Sequence, residues 1–63
     1  MHLYSYDGPV KEFDRIINDR WVGQTYATTE RKARVNLSYQ YKRKYGKTAS
    51  AQITLPGPIV KEG

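Results

Sequence analysis

The sequence predicts an α+β domain of ββαβ order, a two-layer sandwich whose small antiparallel or mixed sheet carries one helix on one face. Three observations predict it. Residues 30–45 run without glycine or proline and repeat apolar residues at i, i+4 and i+8. Two β-prone stretches precede that run and one follows, each bounded by Gly, Pro, Asn or Asp. The chain has 63 residues, so one domain spans 1–63 and nothing remains to cover the second face of the sheet.

Leu3-Tyr4-Ser5-Tyr6 is β-prone by residue type and meets a turn or bulge signal at Asp7-Gly8-Pro9. Residues 10–17 read two ways. Val10, Phe13 and Ile17 have helical spacing, while Ile16-Ile17 and the flanking turn residues favour a strand. Asn18-Asp19 then has the composition of a hairpin tip, because both residues tolerate positive φ. Residues 20–27 alternate, with Trp21, Gly23, Thr25 and Ala27 on one face and Val22, Gln24 and Tyr26 on the other. The spacing predicts a helix capped by Thr28 or Thr29, with Glu30 in its first turn and Lys42, Arg43 and Lys44 in its last, where each suits the dipole. Gly46 is a natural residue to end it. Residues 47–50 form a polar link and residues 51–55 a final strand, stopped by Pro56-Gly57-Pro58. Ile59-Val60 adds a short edge contact before a polar, flexible tail within 58–63. The expected core is Leu3, Phe13, Ile17, Trp21, Ala27, Ala33, Leu37, Tyr41, Ile53 and Leu55.

The helix faces follow from about 100° per residue. Ala33, Leu37 and Tyr41 line the side toward the sheet, with Asn36 and Gln40 beside them, placed to hydrogen-bond sheet edges or the Thr25 and Thr54 region. Arg31, Val35, Tyr39 and Lys42 face the opposite way, bordered by Lys32 and Arg43. The charge is concentrated in this element. The chain has 11 Lys and Arg against six Asp and Glu, a net +5. Residues 30–45 hold six of the cations and one acid, and the remaining five cations and five acids cancel. The whole excess therefore lies on one helix.

Several function classes fall away. There is no cysteine and one histidine, which removes disulfides, thiolate zinc sites and Cys/His nucleophilic pairs. The acids Asp7, Glu12, Asp14, Asp19, Glu30 and Glu62 are scattered, with no spacing for metal binding or acid–base work. Ser38 sits in the helix with no base in view, and the glycines occur singly, so no loop cradles a phosphate. No catalytic residue, metal, cofactor or small-molecule substrate is expected, and the protein reads as no enzyme. No apolar run reaches membrane-spanning length, and residues 1–7 lack the cationic and apolar regions of a secretory leader. The expected location is the cytoplasm.

Cations interleaved with an apolar and an aromatic residue suit a polyanion, since bases neutralise phosphates while a ring stacks on a base or sugar. The residues expected to contact nucleic acid are Arg31, Lys32, Arg34, Lys42, Arg43 and Lys44, with Tyr39 for stacking. The uncovered sheet face is a second candidate surface, through Arg15, Arg20 and either Tyr26 or Trp21. An acidic protein partner is the alternative, and a merely solvated helix face is the plainest explanation of the pattern.

Residues 21–29, WVGQTYATT, with Ala33, the run NLSYQYK at 36–42 and ITLPG at 53–57, resemble small uncharacterised proteins carried by conjugative transposons and prophages. The likeness covers residues 8–57, and 36–42 is its most distinctive part. That family has no established activity and so implies no functional residues. The resemblance implies a setting, a mobile genetic element, in which small basic domains accompany DNA.

Overall fold

The computed structural model describes residues 1–48 and 50–63; within the 47–50 link, Ala49 lies outside the described residues. The elements are β1 His2–Glu12, β2 Arg15–Ala27, α1 Glu30–Lys44, β3 Ile53–Thr54 and β4 Ile59–Lys61. The α+β class is as expected, one helix on a four-stranded sheet, and each pairing is antiparallel. β1 is the central strand. β2 pairs along one side of it, while β4 pairs with residues 4–6 and β3 with residues 11–12 on the other.

β1 and β2 make one long hairpin, and its tip is not at Asn18-Asp19. Both strands run through the two turn signals, and the chain reverses at Phe13 and Asp14. The signals face each other across the ladder. Gly8 pairs with Trp21 and Val10 with Asn18, so Asp19 and Arg20 together lie opposite Pro9. Two residues against one form a β-bulge. Pro9 has no N–H to offer the ladder, and the Arg20 N–H donates to Asn18 Oδ1 at 3.1 Å, a local bond of the kind that competes with sheet pairing. Turn-forming residues placed opposite one another thus produce an irregularity in a continuous hairpin. A second register shift, between Val10 and Lys11, releases Ile17 to pack against the core.

Phe13, expected in the core, is the first turn residue, 70% exposed with φ of 57°. Positive φ at that position belongs to the turns whose twist matches a hairpin, where glycine is the usual occupant. A bulky side chain there is strained, and the pairing of β1 with β2 together with the Phe13 N–H donated to the Gln52 carbonyl at 3.1 Å holds the geometry.

Leu3 is the other correction to the core. Residues directly opposite across a ladder share a face. Tyr4, Tyr6 and Gly8 lie opposite Thr25, Gly23 and Trp21, whereas Leu3 lies opposite Tyr26. Burial of Trp21 therefore turns Tyr4 and Tyr6 toward the helix, at 6% and 0% exposure, and leaves Leu3 half-buried on the far face. Trp21, Ala27, Ala33, Leu37, Tyr41 and Leu55 are buried as expected, joined by Val10 and Ile59, with Ile17 and Ile53 packed at the margin. A Cβ on Gly23 would stand 2.6 Å from Trp21 Cη2; its absence lets the indole lie against β2, edge-on to Tyr41 with ring centroids 5.4 Å apart. The chain after Pro58 adds β4, and the Glu62 N–H donates to the Leu3 carbonyl at 2.7 Å.

The helix keeps its expected bounds for local reasons. Thr29 is the N-cap, in extended conformation, and its hydroxyl accepts from the Lys32 N–H at 3.2 Å. At the other end Gly46 adopts φ of 68° and the Lys47 N–H donates to the Lys42 carbonyl at 2.8 Å, the closure that a left-handed residue after the last turn permits.

Candidate nucleic-acid interface

Contacts on three sides orient α1. Ala33, Leu37 and Tyr41 bury the inner stripe. On one flank Gln40 Nε2 donates to the Gln24 carbonyl at 3.0 Å, and Asn36 Nδ2 reaches Thr25 Oγ1 and the Tyr26 carbonyl, each at 3.4 Å. These amides satisfy carbonyls on the outer side of β2, a strand at the edge of the sheet that would otherwise present open hydrogen-bonding groups. On the other flank Arg34 Nη1 donates to the Leu55 carbonyl and, at 3.4 Å, to that of Gly57. The amides and Arg34 thus hold the helix from opposite sides.

What faces away is an arc of about 120° at helical spacing that carries Arg31, Lys32, Val35, Tyr39, Lys42 and Arg43. Arg31, Lys32 and Arg43 are exposed and Lys42 is half-buried. Val35 and Tyr39 stand at 64% and 56% exposure. Of the seven residues expected to contact nucleic acid, the fold groups Arg31, Lys32, Tyr39, Lys42 and Arg43. Arg34 is turned to the β3–β4 connection. Lys44 follows Tyr41 on the inner stripe, and its Nζ lies 5.9 Å from the ring centroid of Tyr45, which itself packs on Tyr41 at 4.4 Å.

The uncovered sheet face does not assemble its expected set. Trp21 points into the core, and Arg20 is held by Asp7, with Nε and Nη2 each 2.7 Å from a carboxylate oxygen. Arg15 and Tyr26 remain exposed. The hydrogen bond from Arg20, aided by its charge, holds the Asp7 carboxyl below the ordinary carboxylate range and raises Arg20 in turn. Because the folded pKa of Asp7 is depressed, the pair stabilises fully above the ordinary carboxylate value, and the contribution vanishes as pH falls through the folded pKa. Urea titrations at stepped pH should show wild type more stable than Asp7→Asn near neutrality, with the difference closing in acid; a difference that persists below both pKa values would refute this origin. Both side chains are exposed, so the effect is small.

The ion pairs Arg20–Asp7 and Lys47–Glu12, the latter at 3.2 Å, join strand and loop residues. Among the described residues no group of three or more His, Cys, Asp or Glu could hold a metal ion, and no helix is long and apolar enough to cross a membrane.

One feature had no signal in the sequence beyond an apolar residue on a polar face. A cleft of about 240 Å³ opens between the N-terminal half of α1 and the end of β2. Met1, Tyr26, Ala27 and Val35 supply its apolar wall, and Thr28, Lys32 and Asn36 its polar atoms. Six of its seven lining residues fall within 26–36 and meet where α1 folds back along β2, and Met1 joins them from the start of the chain. A scan against protein-family models, a search of the curated proteins and a search of the solved structures each found no match.

Proposed function

We propose that this protein is a non-enzymatic nucleic-acid-binding accessory protein of a mobile genetic element, holding the phosphate backbone on the outer arc of α1. Arg31, Lys32, Lys42 and Arg43 contact phosphates, and Tyr39 stacks on a base or sugar. The observation that carries this reading is the exposure of Arg31, Lys32 and Arg43 around Val35 and Tyr39, on the helix that holds the whole excess charge of the chain. Arg34 and Lys44 lie outside that contact. Contacts of this kind position a protein on its polymer and do not read sequence. The resemblance to proteins of conjugative transposons and prophages agrees with such a partner.

Titration of labelled oligonucleotides at stepped salt tests it. Four phosphate contacts predict that log K falls against log salt with a slope of about −3 to −4. Arg31→Ala/Arg43→Ala should make the slope shallower by about 1.5 to 2 while melting at the wild-type temperature. Absence of association at low salt, or an unchanged slope in the double variant, would defeat the reading. Salt-sensitive binding to an acidic protein without binding to any oligonucleotide would favour the protein-docking alternative.

A further inference from the structure

The outer arc carries more apolar surface than phosphate binding needs. Val35 is 64% exposed and Tyr26 63% exposed, and both line the 240 Å³ cleft. Lys32 belongs to the same cleft, and Arg31 lies one turn before Val35 on the outward side. An apolar notch bordered by cations is complementary to a group with a flat apolar face and an attached negative charge. Its volume falls below the roughly 300 Å³ at which drug-sized pockets begin, which suits one ring system rather than a whole nucleotide. Tyr39 follows Val35 by four residues, about 6 Å along the helix axis. The rise between stacked bases of a duplex strand is about 3.4 Å, so neighbouring bases reach both places only when they are unstacked.

Resting on the nucleic-acid reading above, we propose that the polymer is single-stranded and that one base seats in the cleft that Tyr26 and Val35 line, its phosphate beside Lys32, while the next base lies on Tyr39. A duplex turns its base faces inward and leaves the cleft empty. A single strand offers each base face to an aromatic platform and adds stacking to the charge contacts.

The test measures anisotropy of three labelled 12-unit probes: an oligothymidylate strand, an abasic strand of equal charge, and a mixed-sequence duplex. Wild type should bind oligothymidylate about 5- to 150-fold more tightly than the abasic strand, the range that one stacked base supplies. Tyr26→Ala should lose most of that margin and leave abasic and duplex binding unchanged, while Tyr26→Phe retains it. Val35→Ser, in the same lining and without added charge, should reduce it too, and Trp21 emission checks that each variant is folded. Equal affinity of wild type for oligothymidylate and the abasic strand overturns the proposal while leaving phosphate binding intact. So does a Tyr26→Ala variant that weakens all three probes alike. Failure of wild type to bind any probe overturns the nucleic-acid reading as well.

Discussion

Tyr6→Phe should lower the stability of the fold by about 1–3 kcal/mol, and Tyr6→Ala by about 3–5 kcal/mol. The ring is fully buried and packs near Trp21, with centroids 6.4 Å apart. Its hydroxyl joins two parts of the chain 51 residues apart: it donates to the Pro9 carbonyl at 2.6 Å and accepts from the Gly57 N–H at 3.0 Å. Phenylalanine keeps the ring and strands both backbone groups in a part-buried site, which is the expensive way to lose a hydrogen bond. Alanine adds the loss of ring packing and leaves a cavity. A domain of this length has roughly 3–9 kcal/mol in total, so the alanine variant should be largely unfolded at room temperature. Urea denaturation followed by Trp21 fluorescence and far-ultraviolet dichroism measures both. Wild-type stability of Tyr6→Phe would show that the hydroxyl bridge contributes nothing.

Arg34→Ala should reduce stability by about 1.5–3 kcal/mol yet leave the salt dependence of oligonucleotide binding unchanged. Its guanidinium spans the Leu55 and Gly57 carbonyls and so ties α1 to the connection between β3 and β4. Arg34→Lys should recover part of the loss, since a single nitrogen, Nη1, meets both carbonyls and an ammonium carries three donors. Arg31→Ala should behave in the opposite way, with stability kept and the salt slope shallower. The two arginines lie three residues apart on one helix, and thermal melts beside salt titrations separate their roles. An Arg34→Ala variant of normal stability and reduced slope would return Arg34 to the phosphate-contacting group.

Local signals were readable where a single element satisfies its own needs. The helix has a threonine cap, an uninterrupted run of helix formers and a glycine stop, so its bounds required no knowledge of the sheet. The alternation of β2 from Trp21 to Ala27 was equally plain, because period 2 with a large aromatic marks the buried face. The amide roles of Asn36 and Gln40 followed from helical spacing once Ala33, Leu37 and Tyr41 defined the inner stripe. Signals failed where two segments acted on each other. Asp7-Gly8-Pro9 and Asn18-Asp19 each look like a reversal, and paired across a ladder they become a bulge. Moving the tip to Phe13 and Asp14 took Phe13 out of the core. Pairing with β2 set the parity of β1, which exchanged Leu3 for Tyr4 and Tyr6.

Composition and spacing alone established the α+β class, the single helix with its limits, and the concentration of positive charge upon it, because these depend on which residues are neighbours along the chain. The fold had to choose which of those cations face outward. Arg31 and Arg34 are the same residue type on the same element, but a carbonyl pair from the β3–β4 connection claims one of them and not the other. The cleft lined by Tyr26 and Val35 likewise exists only once α1 folds back along β2. Arg34 and its two carbonyls, 21 and 23 residues away, meet only after the helix docks, and part-buried polar atoms then take whichever partner lies within reach.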